Sequence, residues 1–580
     1  MGERICKGTN RVYNIRKFQN LKEIINNTQK EFGEEIAFKF KNPETKEVNT
    51  MLYKDYIDDV NALGTALISI GLKDKRIGVI GENRYEWQEA YLSITCGTGV
   101  VVPLDKSLTE NELLSLIERS EIEAIFYTSK YTEVMERAQK ENIGKIKFFI
   151  SMDLEEKTGE IYSQKELIKV GKDLLKNGAR SFLDAQIDND AMAIMLFTSG
   201  TTSQSKAVML SHTNITTNIY DIASMFDIRK GDTLLSFLPL HHVLECTVGF
   251  LFVTSVGATV AFCEGIRHIA ENLKEFECTA MIAVPVLFEN MYKKVLQGID
   301  KKGKTKTVKL AIKVSNFLRL FNIDIRKKLF KDIHANFGGK LRLLIAGGAA
   351  FDKVAEKGFT DLGVDTFQGY GLSETSPVVA AENPTYHRLG SIGRTFPSLE
   401  TKIVDPDECG IGELAVKGPT VMLGYYGNEE ATNECMKDGW FHTGDLAYID
   451  KDGFIFITGR KKSVIVLKNG KNVFPEETES LINRIPGVKE SFVFGKPDEE
   501  DENDLKMCVE VVFDRDIMKS EYGVEKDEEI KSKLWEQIKE INKTMPKYKY
   551  VKELIITEEE LIKTTTLKIK RHEEIKKVLK

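Results

Sequence analysis

The sequence lacks the cysteine patterns that indicate a zinc site or a disulfide framework. Its eight cysteines are scattered over 580 residues, and no two of them form a C-x-x-C pair. That spacing excludes the common zinc motifs and the disulfide-rich secreted class. The opening residues, MGERICKGTN, are polar and contain no apolar segment of the kind found in signal peptides. We therefore expect reduced thiols in a cytoplasmic protein, with any contact to the inner face of a membrane being peripheral.

Long uninterrupted hydrophobic runs and a strong net charge are also missing. Cys246–Cys263 is an 18-residue segment without a formal charge, which is the lower limit for a membrane span. Gly249 and Gly257 interrupt this segment, so we expect a buried helix, a turn and a strand at Ala258–Phe262. The formal net charge of −6 gives no reason to expect nucleic acid as a partner. A chain of this length exceeds what one core usually serves, so at least two domains are expected.

A phosphate-binding loop is predicted at Thr198–Val208, whose sequence is TSGTTSQSKAV. It follows the uncharged run Ala191–Phe197, which is long enough for one buried strand. Small and hydroxylated side chains leave N–H and O–H groups free to contact an oxyanion, and Lys206 supplies a positive charge suited to phosphate. The stretch does not have the P-loop form G-x-x-x-x-G-K-[ST], which argues against P-loop NTPase chemistry. The alternative is a Ser/Thr-rich surface turn, which would need neither the strand nor the lysine.

Strand and helix patterns alternate through much of the chain. Short apolar strands separated by amphipathic helices predict a mostly parallel α/β sheet with helices on both faces. The predicted helices include Asn20–Phe32 and Lys54–Ile70, and the predicted strands include Ile77–Gly81, Val100–Leu104, Ala124–Tyr127, Leu234–Leu240 and Leu341–Ala346.

Two more motifs follow the loop. YGLSET occupies Tyr370–Thr375, and DGWFHTGDL occupies Asp438–Leu446. Together with TSGTTSQSKAV, they resemble the signatures of the adenylate-forming (AMP-binding) superfamily, and the chain is most similar to bacterial long-chain acyl-CoA synthetases (fatty acid–CoA ligases). The resemblance implies the adenylate-forming enzyme fold, with a large N-terminal α/β domain at 1–461 and a small, mobile α+β domain at 462–580. In that arrangement Lys462 would be the hinge between the two domains.

The resemblance also implies a site for ATP and Mg²⁺. Tyr370 would stack on adenine, and Asp445 would accept hydrogen bonds from the ribose hydroxyls. Glu374 and Thr201 would bind Mg²⁺, and Thr375 would donate to the α-phosphate. The implied nucleotide-binding residues are Thr198, Ser199, Gly200, Thr201, Thr202, Lys206, Gly347, Gln368, Gly369, Tyr370, Gly371, Thr375, Asp445 and Arg460.

A fatty acid is the substrate that the resemblance implies. LPLHHVLE, at Leu238–Glu245, resembles the L-P-L-x-H-x-x-E of long-chain acyl-CoA synthetases. By the same resemblance, His242, Gly348 and Gly371 would contact the acid. No carboxylate occurs in Leu238–Leu244, and a buried substrate ammonium would need one, which argues against an amino acid substrate.

The segment 295–331 is rich in lysine and arginine, and apolar residues, Phe317, Leu318, Leu320 and Phe321, interleave with them. One interpretation is a solvated insertion that contains an ordinary amphipathic helix. The other interpretation is a basic face that touches an anionic membrane, where a lipid substrate could be collected.

The implied reaction has two steps. ATP converts the acid to an acyl-adenylate with release of pyrophosphate, and the thiol of CoA then displaces AMP. Lys568, which aligns with the family's catalytic lysine, would act with Thr201 and Glu374 in the first step. Two alternatives stay open: an acyl carrier protein as the thiol acceptor, and a catalytically silent nucleotide sensor. The sensor is favoured by departures from the family pattern, namely Ser203, Ser205, Ala207 and Leu567.

Overall fold

The computed structural model describes residues 5–198, 205–468, 471–497, 505–564 and 568–579. The chain forms two compact units. The larger unit contains Cys6–Thr401 and Val416–Phe441, and the smaller unit contains Lys402–Ala415 and the chain from His442 onward. Among the described residues, no helix combines the length and the apolar character needed to cross a bilayer.

An eight-stranded sheet in the larger unit is parallel over six neighbouring strands and antiparallel at one end. Its antiparallel end contains the two strands that flank the predicted phosphate-binding loop. In spatial order, the strands are Gly424–Tyr425, Lys206–Ser211, Met192–Thr198, Gly99–Pro103, Lys75–Ile80, Ala124–Tyr127, Phe148–Ser151 and Ile161–Ser163.

A nine-stranded sheet in the same unit is parallel in its middle and antiparallel at both ends. In spatial order, its strands are Arg394–Thr395, Val378–Ala381, Asp365–Gly371, Leu343–Gly347, Ala280–Ala283, Thr233–Ser236, Thr259–Phe262, Ile36–Lys41 and Val48–Leu52. The two large sheets agree with the predicted α/β architecture, in which parallel strands are joined by helices.

Helices connect the strands of the two large sheets. The α-helices of the larger unit are Leu21–Phe32, Tyr53–Ser69, Tyr85–Ser93, Glu110–Ser120, Thr132–Lys140, Gln164–Lys176, His212–Met225, Phe252–Ser255, Ile269–Glu275, Pro285–Lys301, Thr305–Arg319, Arg326–Leu329, Lys331–Ala335, Lys353–Leu362 and Glu429–Cys435. Wider π-helical turns occur at Ile94–Thr98 and Glu245–Leu251, and 3₁₀ turns occur at Ser129–Tyr131, Ile266–His268 and Ser373–Thr375.

A third sheet contains antiparallel pairs. In spatial order, its strands are Cys6–Lys7, Glu400–Val404, Gly412–Lys417, Trp440–Ile449 and Met436–Lys437, and Ile455–Arg460 pairs with Trp440–Ile449.

The smaller unit adds a strand pair and a three-stranded sheet. The pair is Ile465–Val466 with Asn472–Val473, and the sheet is Val488–Pro497, Leu505–Phe513 and Glu553–Thr557. Its helices are Pro475–Ile482, Arg515–Tyr522, Asp527–Lys543 and Arg571–Val578, with a 3₁₀ turn at Lys547–Lys549. Apolar residues of these strands and of the long helix, among them Val509, Ile530, Leu534 and Ile538, form a buried core.

Several helix ends follow directly from the sequence. Asn20 caps the first helix, because its side chain accepts a hydrogen bond from the N–H of Glu23. Asp352 caps Lys353–Leu362 in the same way, and Gly363 ends that helix with a left-handed conformation at φ 96°. The expectation for Cys246–Cys263 is also met, since this segment contains buried helical turns, Gly257 at φ 68° and a strand that begins at Thr259.

One predicted strand is shorter than expected. The prediction ran from Leu234 to Leu240, but the strand spans Thr233–Ser236. Beyond the strand, the side chain of Asn83 forms hydrogen bonds with the backbone. It donates to the carbonyl oxygen of Leu238 at 2.6 Å and accepts from the N–H of Leu240 at 3.2 Å. Because Asn83 takes the place of a neighbouring strand, the ladder ends before Pro239.

Candidate active site

The carboxyl ends of parallel strands bring several predicted residues to one edge of the nine-stranded sheet. Leu343–Gly347 and Asp365–Gly371 are neighbours in this sheet, and Gly347 and Gly369 are direct partners in the ladder. Ligands of open α/β sheets bind at such an edge. The structure therefore places the glycine turn at Gly347 and Gly348 beside the QGYG sequence, as the sequence motifs required.

The segment that contains His242 packs over the glycine turn. A Cβ atom added to Gly347 would lie 3.1 Å from Cδ2 of Leu244, so a larger residue at Gly347 would press against this segment. The ring of His242 is half-buried, and its Nδ1 accepts a hydrogen bond from the N–H of Leu244 at 3.2 Å. That bond fixes the ring locally, and a contact between His242 and the acid stays a prediction.

Gln368 and Tyr370 differ in what surrounds them. The buried Oε1 of Gln368 accepts a hydrogen bond from the N–H of Phe351 at 3.3 Å, which ties the strand to the turn that follows Gly348. Tyr370 is half-buried and pairs with Ala380, and the ladder is irregular between Tyr370 and Gly371. Stacking of Tyr370 on adenine stays a prediction.

A tight turn follows Gly371 and holds the next two predicted residues. A Cβ atom at Gly371 would lie 1.9 Å from the carbonyl oxygen of Pro377, so only glycine fits at this position. The hydroxyl of Thr375 is buried; it accepts from the N–H of Leu372 at 3.0 Å and donates to the oxygen of Pro377 at 2.6 Å. In this structure Thr375 therefore stabilises the turn, and its contact with a phosphate stays a prediction.

Glu374 and Lys206 are linked by a tyrosine that the sequence reasoning did not single out. The hydroxyl of Tyr425 donates a hydrogen bond of 2.8 Å to Oε1 of Glu374. The Nζ of Lys206 lies 4.7 Å from the centre of the Tyr425 ring, a cation–π contact. Burial, with the nearby Glu374 carboxylate, raises the pKa of Tyr425 far above its ordinary value. The tyrosine is therefore a neutral donor that positions a carboxylate close to a lysine.

The two ends of the predicted loop are held together by pairing of strands. Thr198 and Lys206 are partners in the ladder, and Oγ1 of Thr198 donates to the carbonyl oxygen of Lys206 at 3.4 Å. Arg119, a residue that no motif indicated, donates to the carbonyl oxygen of Ser205 at 2.5 Å. The predicted residues between the two ends lie outside the described residues: Ser199, Gly200, Thr201 and Thr202.

A polar cluster of two buried carboxyl groups and one exposed histidine lies next to Gln368. Glu382 and Glu356 are fully buried, and Oε1 of Glu382 lies 3.3 Å from Nδ1 of His387. Burial, together with the adjacent Glu382 carboxylate, raises the pKa of Glu356, while the hydrogen bond to Glu382 raises the pKa of His387. Potential ligand atoms of these three residues lie within 4.8 Å of one another. Glu382 also accepts a hydrogen bond from the N–H of Gln368 at 3.3 Å, so the cluster supports the strand that ends in the QGYG sequence.

In the smaller unit, the predicted ribose-binding pair is in direct contact. Asp445 and Arg460 are partners across the antiparallel strands, and Nε of Arg460 lies 3.0 Å from Oδ1 of Asp445. The side chain of Asp445 is only 5% exposed, whereas that of Arg460 is half exposed. Glu413 braces the neighbouring turn by accepting from the N–H of Gly444 at 3.0 Å. Although burial opposes its ionisation, hydrogen bonds from His442 and other neighbours hold the pKa of Glu413 below its ordinary value.

Lys462 and Lys568 both belong to the smaller unit. Lys462 is exposed in the turn after Ile455–Arg460, and its assignment as a hinge stays a prediction. The backbone N–H of Lys568 donates to Oγ1 of Thr564 at 3.2 Å, and the N–H of Thr564 donates to the carbonyl oxygen of Lys568 at 2.8 Å. Together with the bridge between Lys563 and Ile569, these bonds pair the residues on the two sides of 565–567, which lie outside the described residues. The catalytic role of this lysine stays a prediction.

Two other features of the larger unit do not join this site. A cavity of about 340 Å³ lies between the N-terminal segment and the helix His212–Met225, and none of the predicted residues lines it. The sequence Gly298–Thr305, GIDKKGKT, matches the P-loop pattern. Because Gly298 lies within the helix Pro285–Lys301 instead of after a strand, the match does not form a phosphate-binding loop.

The two large sheets and the smaller α+β unit define an adenylate-forming enzyme fold. The solved structure of the anthranilate CoA ligase AuaEII in complex with anthranoyl-AMP is similar over 98% of both chains, with a TM-score of 0.77 and 18% sequence identity. The fold class that the sequence predicted is thereby confirmed.

The chain belongs to the family of AMP-binding enzymes, whose model matches residues 25–426, while that of an AMP-binding enzyme C-terminal domain matches 462–578. Long-chain-fatty-acid–CoA ligase FadD15 of Mycobacterium bovis is 28% identical, covering 76% of this chain and 74% of its own. Long-chain-fatty-acid–CoA ligase 5 of Rattus norvegicus is 30% identical, covering 77% and 69%. The chloroplastic long-chain-fatty-acid–[acyl-carrier-protein] ligase AEE15 of Arabidopsis thaliana is 26% identical, covering 82% and 74%. The predicted family is confirmed.

Proposed function

We propose that this enzyme activates a long-chain fatty acid with ATP and transfers the acyl group to CoA. The observation that carries the proposal is the link from Lys206 through Tyr425 to Glu374, which joins the first two sequence motifs within the larger unit. This arrangement combines a cation suited to phosphate with a carboxylate suited to a divalent cation. The similarity to two long-chain-fatty-acid–CoA ligases supports the choice of acid and acceptor.

The first step joins two negatively charged groups. The carboxylate of the acid attacks the α-phosphorus of ATP, the bond to the bridging oxygen breaks, and pyrophosphate leaves. The barrier is lowered by positive charge placed where the phosphates lie. We propose that Lys206 binds the phosphates, that Lys568 stabilises the transferring group, and that Asp445 and Arg460 bind the ribose.

A magnesium ion fits the donor set of the larger unit. Glu374 offers a carboxylate oxygen, the kind of hard ligand that Mg²⁺ prefers, and the hydroxyl of Tyr425 orients that carboxylate. When bound with ATP, Mg²⁺ neutralises charge on the phosphates. The role of Thr201 as a second ligand is proposed from the family resemblance alone.

In the second step, the thiol sulfur of CoA attacks the carbonyl carbon of the acyl-adenylate, and AMP leaves with the bonding electrons. We propose that the backbone turns at Lys462 between the two steps, because hinge residues in exposed turns can absorb such a change. All eight cysteines of the chain are free thiols, which supports our proposal that the enzyme works in the reducing cytoplasm.

The test is acid-dependent release of pyrophosphate. Purified enzyme with ATP and Mg²⁺ would be given hexanoic, decanoic, palmitic or benzoic acid, with and without CoA. We expect release to be greatest with the long chain and acyl-CoA to form. Glu374→Gln should lower the rate about 10²–10³-fold if this carboxylate acts on the transition state. Release that is highest with benzoic acid would overturn the assignment of a fatty acid.

An acyl carrier protein is the second candidate acceptor. It is favoured by the similarity to a plant ligase whose name specifies that acceptor. Both acceptors present the same kind of thiol arm, so direct competition separates them. Equal concentrations of CoA and reduced carrier protein would be supplied, and we expect the thioester to form on CoA. If no acid promotes pyrophosphate release although ATP binds, the chain is a nucleotide sensor instead.

A further inference from the structure

Exposed apolar side chains are concentrated in one part of the larger unit. In the described chain, eight of the eighteen exposed large hydrophobic residues fall in the 34 positions from Leu296 to Leu329. Single exposed hydrophobic residues are normal on protein surfaces, whereas a contiguous patch indicates an interaction site. The eight are Leu296, Leu310, Val314, Phe317, Leu320, Phe321, Ile323 and Leu329.

The helix Thr305–Arg319 arranges these side chains in a stripe. Leu310, Val314 and Phe317 follow at intervals of four and three, so they lie on one helical face, and Phe321 continues the series. The rings of Phe317 and Phe321 contact each other with centroids 5.4 Å apart. Their exposed fractions are 61% and 62%, so the stripe faces outward from the unit.

The opposite face of this helix is the one that packs on the protein. Ser315 is fully buried, and the side chain of Asn316 donates a hydrogen bond of 2.9 Å to Oδ1 of Asp361. Asp361 belongs to the helix Lys353–Leu362. The half-buried Val308, Ala311 and Ile312 lie on the same side of the helix as Ser315, so the helix packs on the unit through this inner face. The stripe is a second apolar face, and it is left outside.

Positive charge surrounds the stripe. Residues 301–323 contain seven lysines and arginines and no acidic residue, in a chain whose formal net charge is −6. None of the seven forms an ion pair with another described residue. They are Lys301, Lys302, Lys304, Lys306, Lys309, Lys313 and Arg319. We call the stripe and these cations the basic apolar face.

We propose that the basic apolar face docks on an anionic lipid surface. Its apolar side chains would enter the boundary between headgroups and acyl chains, as those of interfacial amphipathic helices do. The lysine stems would lie along the boundary with their ammonium groups at the lipid phosphates. In this arrangement the stripe contacts the apolar layer of the membrane, and the cations contact the headgroups.

The same face fits other occupants less well. In a symmetric contact with a second copy, seven cations would oppose the same seven cations. The core of a protein–protein interface is depleted in lysine, whereas lysine is the main cation of this face. Free phosphate compounds would engage the lysines and would leave Phe317 and Phe321 in water.

The inference goes beyond the proposed function, and its test needs no substrate. The full chain would be mixed with vesicles of phosphatidylcholine, or of phosphatidylcholine with phosphatidylglycerol, and the bound fraction measured by flotation. We expect binding to the anionic vesicles only, with strong weakening in 0.5 M salt because the charges are exposed.

Two variants test the cations and the apolar stripe of the face separately. Lys306→Gln, Lys309→Gln and Lys313→Gln together should weaken binding about 100-fold, since each cation contributes about fivefold. Phe317→Ser with Phe321→Ser should weaken it about tenfold or more, through loss of apolar contact. Because both rings are exposed, neither variant should change the unfolding temperature or the turnover of hexanoic acid in solution.

Matched controls carry the same changes elsewhere on the larger unit. Lys140→Gln, Lys169→Gln and Lys274→Gln replace three exposed helical lysines, and Ile266→Ser with Val354→Ser replaces two exposed apolar residues that are 58% and 54% exposed. These controls should bind anionic vesicles like the unchanged protein.

Three kinds of outcome would overturn the docking proposal. If the protein binds neutral and anionic vesicles equally, or if the control variants lose as much binding as the face variants, this face does not bind anionic lipid. If the unchanged protein ignores vesicles and the face variants instead alter its sedimentation, the face joins two copies. If it ignores vesicles and captures an acidic acyl carrier protein through these lysines, the partner is a protein. Loss of fatty acid activation alone would leave vesicle binding intact and would refute only the proposed function.

Discussion

The hydroxyl of Tyr425 donates a hydrogen bond of 2.8 Å to the carboxylate of Glu374. These residues are 51 positions apart, and the contact depends on the antiparallel pairing of Val208 with Tyr425. The same ring supports the Nζ of Lys206 at 4.7 Å. One aromatic side chain thus positions both charged groups to which we assign ATP and Mg²⁺.

Tyr425→Phe separates these two functions, because phenylalanine keeps the ring and removes the hydroxyl. We expect the Mg²⁺ concentration for half-maximal pyrophosphate release to rise roughly 10- to 100-fold, as is typical when a residue that orients a metal ligand is lost. The affinity for ATP without metal, measured by calorimetry, should change little. In a Glu374→Gln background the substitution should add almost nothing; additive effects of the two changes would contradict the link.

Lys568→Ala should abolish the first step and leave ATP binding intact. The lysine is proposed to stabilise charge that develops in the transition state, so its loss should lower acid-dependent pyrophosphate release about 10²–10³-fold. Transfer from a supplied acyl-adenylate to CoA should continue. Lys570→Ala is the matched control, since Lys570 forms an ion pair with Glu573 in the same segment. Pyrophosphate release that survives in the Lys568 variant would show that another residue has this role.

Substitution by alanine should have different effects at two neighbouring glycines. A Cβ atom at Gly371 would lie 1.9 Å from the oxygen of Pro377, whereas one at Gly369 would lie 3.6 Å from Cβ of Ala381. Gly371→Ala should therefore lower the unfolding temperature and remove activity, because the turn that carries Glu374 must move. Gly369→Ala should fold normally, and we expect it to raise KM for ATP if a flat base lies against this backbone. Unchanged KM in the Gly369 variant would remove this glycine from the nucleotide site.

The buried carboxyl of Glu245 should make the free energy of unfolding depend on pH. The carboxyl is fully buried, and Ser236 donates a hydrogen bond of 2.6 Å to its Oε1. Burial raises the pKa of Glu245 from its ordinary value of 4.5 to about 8. Because the folded protein holds this proton more tightly than the unfolded chain does, the stabilisation is complete below pH ~4.5 and is lost as the pH rises to ~8.

The corresponding variant is Glu245→Gln, whose amide oxygen can still accept from Ser236 and which carries no titrating proton. The free energy of unfolding of the unchanged protein should fall by about 1.4 kcal/mol per pH unit from this residue between pH ~5 and ~8. The fall should be shallower in Glu245→Gln and unchanged in Glu118→Gln, which alters an exposed carboxylate. Parallel pH profiles for Glu245→Gln and the unchanged protein, followed by thermal unfolding, would contradict the assignment.

Asp445 and Arg460 should act as a pair. Asp445 is nearly buried and lies 3.0 Å from Arg460, so Arg460→Ala leaves a buried charge without this partner. We expect Asp445→Asn and Arg460→Ala each to weaken ATP binding about tenfold or more, and the double variant to be little worse than either. Affinities from calorimetry would give the coupling. Effects that add fully would show that the two side chains bind the nucleotide independently.

The sequence predicted the positions of the motifs better than the contacts between them. Asn20, the glycines of the turns and the apolar strands act over a few residues, so local patterns identify them. Tyr425 and Arg119 carry no local pattern, since one reaches Glu374 and the other reaches Ser205 only after distant strands and helices pair. Thr375 illustrates a different limit, because its residue type suits a phosphate donor while its hydroxyl is used within its own turn.

The predicted strand Leu234–Leu240 shows why boundaries are hard to predict. Its apolar sequence continues to Leu240, but the backbone of the last residues bonds to Asn83, more than 150 positions away. A polar side chain from a distant turn therefore decides where the ladder stops, and no periodicity within the segment records this.

The ladder between Trp440–Ile449 and Ile455–Arg460 has an irregularity between Leu446 and Ala447. On one side of it Asp445 faces Arg460, and on the other side Ala447 faces Ile457. Successive side chains of a strand point to opposite faces, so deleting one residue between the irregularity and Arg460 would turn the guanidinium away from the carboxylate. Within these strands, only insertions or deletions of two residues would keep both side chains on the same face. Natural variation in the length of this segment should therefore be confined to the turn at Asp450–Phe454.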